Sequence, residues 1–248
     1  MLIITHRHTK ADLDLWREYE EIDKINRVYP ERIGRSLGII SEWIETHPET
    51  AVYTSWGKDS VVLLHLLSLT KYKIPVVYMR FTDRDNPDCE LVRDEFLKNH
   101  GIDYHEDFFE YQKVRKSGAH WKALQKKYGQ YRITGIRNDE SGIRKMIFLM
   151  YRESGLYSCR PLSLWKNHEV FAYVQQEGLP LSPVYGYLGG GRWPREHIRT
   201  HSLAGTSGNG IGRTEWEKEY YPDILSRINQ RNNNFVRPIG QNGQIDTI

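Results

Sequence analysis

The chain has little cysteine: two residues in 248, Cys89 and Cys159. Two thiols cannot build a disulfide framework or hold a four-cysteine cluster, and such sparse use points to a reducing, cytoplasmic compartment. Long apolar runs are missing as well. None approaches the ~20 residues that span a bilayer, and residues 1–9 show no apolar core followed by a small-residue cleavage site, so neither a signal peptide nor a membrane partner is expected. An excess of one charge sign is also absent. Lys and Arg number 35 against 32 Asp and Glu, which excludes a histone-like chain that binds nucleic acid through net charge alone. Hydrophobic residues make 39% and charged residues 27%, so the chain fits neither a disordered nor a membrane class. Its length suits one large α/β domain or two small ones. There are no internal repeats. What is plentiful is aromatic: 16 Tyr and 7 Trp, more than a core alone needs.

Residues 10–28 place Leu13, Trp16, Tyr19 and Ile22 on one helical stripe, and 31–46 do the same with Ile33, Leu37, Ile40 and Ile44. His47-Pro48 ends the second helix, so 1–48 read as an N-terminal helical segment. Short apolar stretches at 51–54, 74–79, 102–108, 131–136 and 157–160 then alternate with helical ones. The helices are expected at 61–69 (apolar almost all round), 87–99 (with Asn86 as N-cap), 112–127, 141–152 and 166–177. This alternation predicts an α/β, Rossmann-like domain over 49–185, with a mainly parallel five-stranded sheet flanked by helices. From Gly186 the chain becomes glycine-rich up to Gly212, a stretch expected to be a functional lid or disordered. A helix over 214–230, broken near Pro222, and a flexible tail after Arg231 complete a 186–248 extension.

Ser55-Trp56-Gly57-Lys58-Asp59-Ser60 lies between the first strand and the apolar helix. Gly57 permits close backbone approach. The turn offers free N–H groups at a helix N-terminus, an anion site, to which Ser55 and Ser60 add hydroxyls and Lys58 a charge. The set suits a phosphate chain. It is not a Walker A loop, whose G-x-x-x-x-G-K-S/T spacing is absent. The plainer alternative is a strand–turn–helix corner that happens to be polar.

The S-x-G-K-D-S element resembles the pyrophosphate loop of the adenine-nucleotide α-hydrolase superfamily, and residues 53–66 resemble its phosphoadenosine phosphosulfate reductase branch. Three further segments carry the likeness. Gly135-Ile136-Arg137, Glu140-Ser141 and Arg144 resemble G-I-R-x-x-E-S-x-x-R. Arg160-Pro161-Leu162, Trp165, Val170 and Tyr173 resemble R-P-L-x-x-W-x-x-x-x-V-x-x-Y. Residues 179–187 resemble the family's proline-tyrosine corner. The departures concern thiol chemistry. No Glu-Cys-Gly-Leu-His element follows Cys159, and Leu188-Gly189-Gly190-Gly191 stands where relatives show Gly-Cys. Both differences argue against thiol-based reduction.

The resemblance implies a domain that binds ATP and Mg²⁺ at the strand C-termini and breaks the α–β phosphate bond. It places Ser55, Gly57, Lys58 and Ser60 on the β- and γ-phosphates, and Asp59 on Mg²⁺ or as a brace for the loop. Gly135 and Arg137 face phosphates or an anionic acceptor, with Arg144 alongside. Glu140 orients Arg137 or supports metal, and Thr82 and Asp83 lie near the adenine. The plain alternative for Glu140 and Arg144 is an i, i+4 helix pair. Lys58, Asp59, Arg137 and Cys159 form the expected catalytic set. Cys159 is either a persulfide carrier or nucleophile, or a buried small hydrophobe. The same alternatives hold for Cys89 at a helix start. His105, His120, His197 and His201 show no metal-ligand spacing.

Residues 110–152 hold eleven Lys or Arg against three acids, with Tyr111, Trp121, Tyr128 and Tyr131 among them. Such interleaving suits DNA or another polyanionic acceptor, or a solvated helix face. The expected activity is an ATP pyrophosphatase that adenylylates an acceptor for sulfur incorporation. DNA phosphorothioation supplied by a cysteine desulfurase is one such case; a homodimer is compatible with the sequence, though no feature of it specifies one. The alternatives are a phosphoadenylyl-sulfate or adenylyl-sulfate reductase, a sulfate adenylyltransferase small subunit, or a nucleotide-sensing or nucleic-acid-binding subunit.

Overall fold

The computed structural model describes residues 1–114, 118–200, 202–204 and 213–234. Helices α1 (Lys10–Ile25) and α2 (Pro30–Thr46) lead. The first is fixed by a Thr9/Asp12 capping box. The five expected strands follow as β1 (Thr50–Thr54), β2 (Pro75–Phe81), β3 (Asp103–Phe109), β4 (Tyr131–Ile133) and β5 (Ser158–Cys159). They pair in the order β3-β2-β1-β4-β5, and every neighbouring pair is parallel.

Helix α3 (Lys58–Ser68) connects β1 to β2 and is buried from Ser60 through Leu67, as its unbroken apolar character requires. Each fully buried Val or Leu there contributes about 1.5–3 kcal/mol, which anchors the corner that precedes it. Helix α8 (Asn167–Gln176) packs on α3 and α1 through a buried run from Val170 to Val174.

Three boundaries differ from expectation. Helix α4 (Asp88–Asn99) begins one residue late, with Pro87 as N-cap, because Asn86 Oδ1 accepts the Asp88 N–H at 3.0 Å. The helix expected over 112–127 appears as α5 (Tyr111–Val114) and α6 (Ala119–Tyr128), the latter opening on Gly118 at φ +62°. Residues 115–117 lie outside the described residues. Strand β5 is only two residues long, because the Gly155 N–H donates to Ser158 O at 2.8 Å and folds the preceding chain against it.

The glycine-rich stretch is ordered where it is described. Leu188 N and Gly190 N both donate to Oδ1 of the buried Asp12, at 3.2 and 3.1 Å. Gly189, Gly190 and Gly191 adopt φ of +56°, +62° and +99°, a sequence of left-handed steps that only glycine takes without strain. Arg195 then forms a buried fork with Asp23, at 2.6 and 2.7 Å, with its guanidinium over Phe171 and Tyr19. His201, Gly205, Gly208, Gly210 and Gly212 lie outside the described residues.

Chain contacts separate 1–202 from 203–248. The second unit holds α9 (Arg213–Tyr220) and α10 (Pro222–Asn234), broken before Pro222 as expected. The tail expected after Arg231 is helical to Asn234. Residues 235–248 lie outside the described residues.

Between strands and after them the chain also forms α7 (Gly142–Tyr151), capped by Ser141, whose Oγ accepts the Arg144 N–H.

Candidate functional site

From β1 the chain moves outward through β2 to β3, then returns to the other side of β1 for β4 and β5. The carboxyl ends of β1 and β4 therefore flank a topological switch point, where open parallel sheets receive their ligands. Residues 55–60 sit at the end of β1 and residues 134–137 at the end of β4.

The 55–60 turn is built by its own side chains. Ser60 Oγ accepts the Ser55 N–H at 3.1 Å, and Thr54 Oγ1 accepts the Trp56 N–H at 3.2 Å. Trp56 holds φ +56°. This conformation strains any residue with a Cβ, and it is held by a fully buried ring set against Phe96 and Tyr104. Lys58 N donates to the Tyr185 hydroxyl at 3.0 Å. The N–H groups of Gly57, Asp59 and Ser60 meet no acceptor among the described residues. A Cβ at Gly57 would fall 2.5 Å from Thr200 Oγ1 and 3.2 Å from the Tyr185 hydroxyl. The face of the turn is thus lined by two neutral hydroxyls.

Gly135 closes the crevice from the β4 side. A Cβ there would stand 2.9 Å from Asp59 O and 3.0 Å from Asp59 C, both backbone atoms. This contact brings Arg137 into reach. Its Nε donates to Asp59 Oδ1 at 2.5 Å, and Nη2 donates to Asn167 Oδ1 at 3.0 Å. Lys58 Nζ takes the other Asp59 oxygen at 2.8 Å. Burial lowers the Lys58 ammonium from its ordinary value. Burial also works to raise the Asp59 carboxyl, but the Lys58 and Arg137 cations outweigh it and hold that group below the usual carboxylate range.

Glu140 forms the rim. Its Oε1 accepts the Arg137 N–H at 3.1 Å, and its Oε2 pairs with Arg144 and lies 3.4 Å from Arg199 Nη1. Arg199 Nη2 also donates to Glu140 O at 3.2 Å. Burial, then repulsion from Arg199, pushes the Arg144 guanidinium down. Asp139 lies 3.9 Å from Arg137 and 3.5 Å from Lys166. Lys58, Arg137, Arg144, Lys166 and Arg199 thus surround three carboxylates, and the corner carries surplus positive charge.

The structure brings together Ser55, Gly57, Lys58, Asp59, Ser60, Gly135, Arg137, Glu140 and Arg144. Thr82 and Asp83 follow β2 at the same end of the sheet but bind elsewhere: the Thr82 N–H donates to Phe109 O, and Asp83 Oδ1 accepts the Tyr111 N–H at 2.7 Å. Cys159 is fully buried in β5 and its thiol is pushed up to about 12 by burial, the environment of a packed hydrophobe. Cys89 is also buried, donates to Ser55 O at 3.7 Å, and is pushed up to about 12 for the same reason. The residues do not fit a protein-built Mg²⁺ cage. Both Asp59 oxygens hold cations, and no cluster of three His, Cys, Asp or Glu set to take a metal occurs among the described residues.

Two contributors were missed from sequence, Tyr185 and Thr200, and Arg199 was visible only as one of the basic residues of the glycine-rich stretch. Tyr185 lay in the recognised proline-tyrosine corner, but nothing in it marked a hydroxyl aimed at Lys58 N. Arg199 and Thr200 reach the corner because Arg195 is clamped to Asp23, 172 positions away in the chain, a pairing that no local pattern signals.

Residues 82–189 match the phosphoadenosine phosphosulfate reductase domain. The match begins downstream of the 55–60 turn. The phosphoadenosine 5'-phosphosulfate reductase of Erwinia tasmaniensis is 29% identical over 206 residues, covering 69% of this chain and 84% of that one. The Candida auris phosphoadenylyl-sulfate reductase, solved as a phosphate complex, superposes with a TM-score of 0.51 at 15% identity over 72% of this chain and 98% of that one. The Candida glabrata FMN adenylyltransferase solved with ATP gives 0.51 at 15% identity, over 73% and 70%. Sheet order, switch-point turn and these superpositions define an α/β, Rossmann-like fold. In sequence the chain is similar to phosphoadenosine phosphosulfate reductases. No helix among the described residues is long and apolar enough to cross a membrane.

Proposed function

We propose that the chain is an ATP pyrophosphatase that adenylylates an acceptor oxygen. One observation carries this reading over reduction. The chain has two cysteines, and both are buried with thiols pushed up to about 12. Reduction of a sulfonyl group by the protein needs an accessible thiolate, and neither residue supplies one.

In the proposed reaction the acceptor oxygen attacks the α-phosphorus of ATP. The bridging α–β P–O bond breaks, and pyrophosphate leaves with the electron pair. The N–H groups of Gly57, Asp59 and Ser60 face the departing phosphates. The Tyr185 hydroxyl, which accepts the Lys58 N–H, yields to a phosphate oxygen. Arg137 and the Lys58–Asp59 pair hold the corner rigid, so that donors stand fixed as charge builds. Arg144 and Arg199, sharing Glu140, are placed to take an anionic acceptor. Mg²⁺ would arrive with the nucleotide, and no step is assigned to it. The adenine would lie beyond β2, near Thr82 and Asp83. The surplus charge and the basic 110–152 segment support a phosphate-bearing acceptor such as DNA, with sulfur supplied by a desulfurase partner. The rival is the reductase activity for which the relatives are named.

Pyrophosphate release from ATP, with and without DNA, tests the proposal. Acceptor-dependent release is expected, falling at least about tenfold in Ser60→Ala. Sulfite release from phosphoadenylyl sulfate in the presence of a reductant, with no pyrophosphate from ATP, would favour the rival.

A further inference from the structure

Strands covered on both faces of a parallel sheet read as near-continuous apolar runs. β4 and β5 depart from this on one face only. Tyr131 packs against Trp43 and His47 of α2, and Ile133 and Cys159 share that side and are fully buried. The alternate residues point the other way, toward α6. Arg132 pairs with Ser158. Continuing the register one residue past Val52↔Ile133 and Ile133↔Cys159 sets Tyr53, Thr134 and Arg160 in one row across three strands. Arg132 lies over the Trp121 ring of α6, 5.6 Å from its centroid, and Tyr53 meets the same ring edge-on at 5.5 Å. The next helix, α7, makes its main contacts with Asn138–Glu140 and not with this face. The row is half-buried along its length.

Its polar groups are unanswered. The Tyr53 hydroxyl, Thr134 Oγ1 and Arg160 Nε are buried atoms with no hydrogen-bond partner among the described residues. Buried polar groups rarely stay so. Neither Arg132 nor Arg160 has a carboxylate partner among those residues. The acid that reaches Tyr53 from β3 is Asp107, and Lys127 and Tyr128 already hold it. Burial pushes the Arg160 guanidinium down, and Arg132 adds repulsion. Burial pushes the Tyr53 hydroxyl up to about 12, so it keeps its proton and can donate. Two neighbouring guanidiniums with no acid cost the folded chain stability unless an anion answers them. We propose that this row binds a tetrahedral oxyanion, a sulfate or phosphate group, between Arg132 and Arg160, with the Tyr53 and Thr134 hydroxyls as further donors. A guanidinium fork matches two oxygens of such a group. A cation would meet two like charges, and an apolar ligand would leave both arginines unpaired. The row shares β4 with the 55–60 corner but none of its side chains, and the inference holds whichever reaction the corner performs.

Calorimetric titration of the full chain with sodium sulfate and, separately, with sodium phosphate tests it, chloride holding the ionic strength constant. Saturable binding is expected, at least about tenfold weaker in Arg132→Gln and in Arg160→Gln, and weakened less in Tyr53→Phe. Ser60→Ala, which touches only the corner, should keep it. The tighter of the two anions names the group that the natural ligand carries. Melting supplies a second readout. Without anion Arg160→Gln should melt no lower than the intact chain, because it removes a repelling charge. With anion the intact chain should gain melting temperature and Arg160→Gln should gain little. Lower melting of Arg160→Gln without anion would make the arginine a structural brace and overturn the proposal. So would the lack of saturable binding to either anion, or binding that survives both arginine variants. Binding lost only in Ser60→Ala would assign the anion to the corner and overturn it as well.

Discussion

Two turns in this molecule present backbone N–H groups, and they are filled differently. At 188–191 the occupant is the chain's own carboxylate: buried Asp12 accepts from Leu188 N and Gly190 N. At 55–60 the occupant is a neutral hydroxyl, Tyr185 on Lys58 N, while Thr200 Oγ1 stands over Gly57 and donates to Ser55 O at 3.4 Å, inside a surplus of cations. A hydrogen bond to a buried charge is worth about 1.5–3 kcal/mol and a neutral one about 0.5–1.5. The first turn is therefore closed, and under the proposed function the second exchanges its neutral occupant for a phosphate oxygen. Turn geometry alone does not mark a ligand site. The charge of what already fills it does.

The largest effect is expected from Gly135→Ala, which attacks the open turn alone. The added Cβ would stand 2.9 Å from Asp59 O, and backbone atoms cannot step aside as a flexible side chain would. The Lys58–Asp59–Arg137 chain must shift, and displacement on the ångström scale costs about 100-fold or more in turnover. Pyrophosphate release should fall by that factor while the melting curve stays cooperative. Normal ATP binding and turnover in the variant would move the site elsewhere.

Asp12→Asn attacks the closed turn. One carboxylate oxygen receives two N–H groups from 188–190 and the other receives the Thr9 N–H at 3.1 Å. An amide must point its NH₂ at one of these sets, leaving buried donors face to face. The loss is expected at about 2–3 kcal/mol, read as a lowered urea midpoint, with ATP affinity nearly unchanged in the protein that remains folded. An unchanged midpoint would remove the contrast between the turns.

The sheet and the loop could be read in advance because both depend on local patterns. Apolar runs of strand length alternate with helical stripes, and Ser55–Ser60 stands at the first such junction. The need for Gly135 was visible as part of a motif, though its cause, the backbone of Asp59 at van der Waals contact, was not. Asp59 looked free to hold metal because a sequence does not show that Lys58 and Arg137 already occupy both oxygens. Cys159 stayed open between a reactive thiol and a packed hydrophobe until its fully buried place in β5 became visible. The place of Arg199 and Thr200 at the corner was hidden for the same kind of reason. Their position follows from Arg195 meeting Asp23 and from glycines 189–191 folding onto Asp12, contacts between distant parts of the chain that leave no periodic trace.

Tyr185→Phe makes the smallest and most pointed change, because it removes only the neutral occupant of the open turn. The ring remains under Lys58 Nζ, 5.5 Å from its centroid, so packing and cation–π attraction persist. Lys58 N loses its acceptor, and the unliganded protein should lose about 1 kcal/mol. A phosphate oxygen that takes over this N–H no longer has to displace a hydroxyl, so ATP should bind tighter by up to about fivefold, the equivalent of that same 1 kcal/mol. Calorimetric titration with a non-hydrolysable ATP analogue reads the change directly, and thermal melting reads the loss without ligand. A tenfold weaker affinity would mean that the hydroxyl grips the nucleotide itself. The open turn would then be a completed binding surface, not one held by displaceable stand-ins, and the distinction from the Asp12 turn would rest on charge surplus alone.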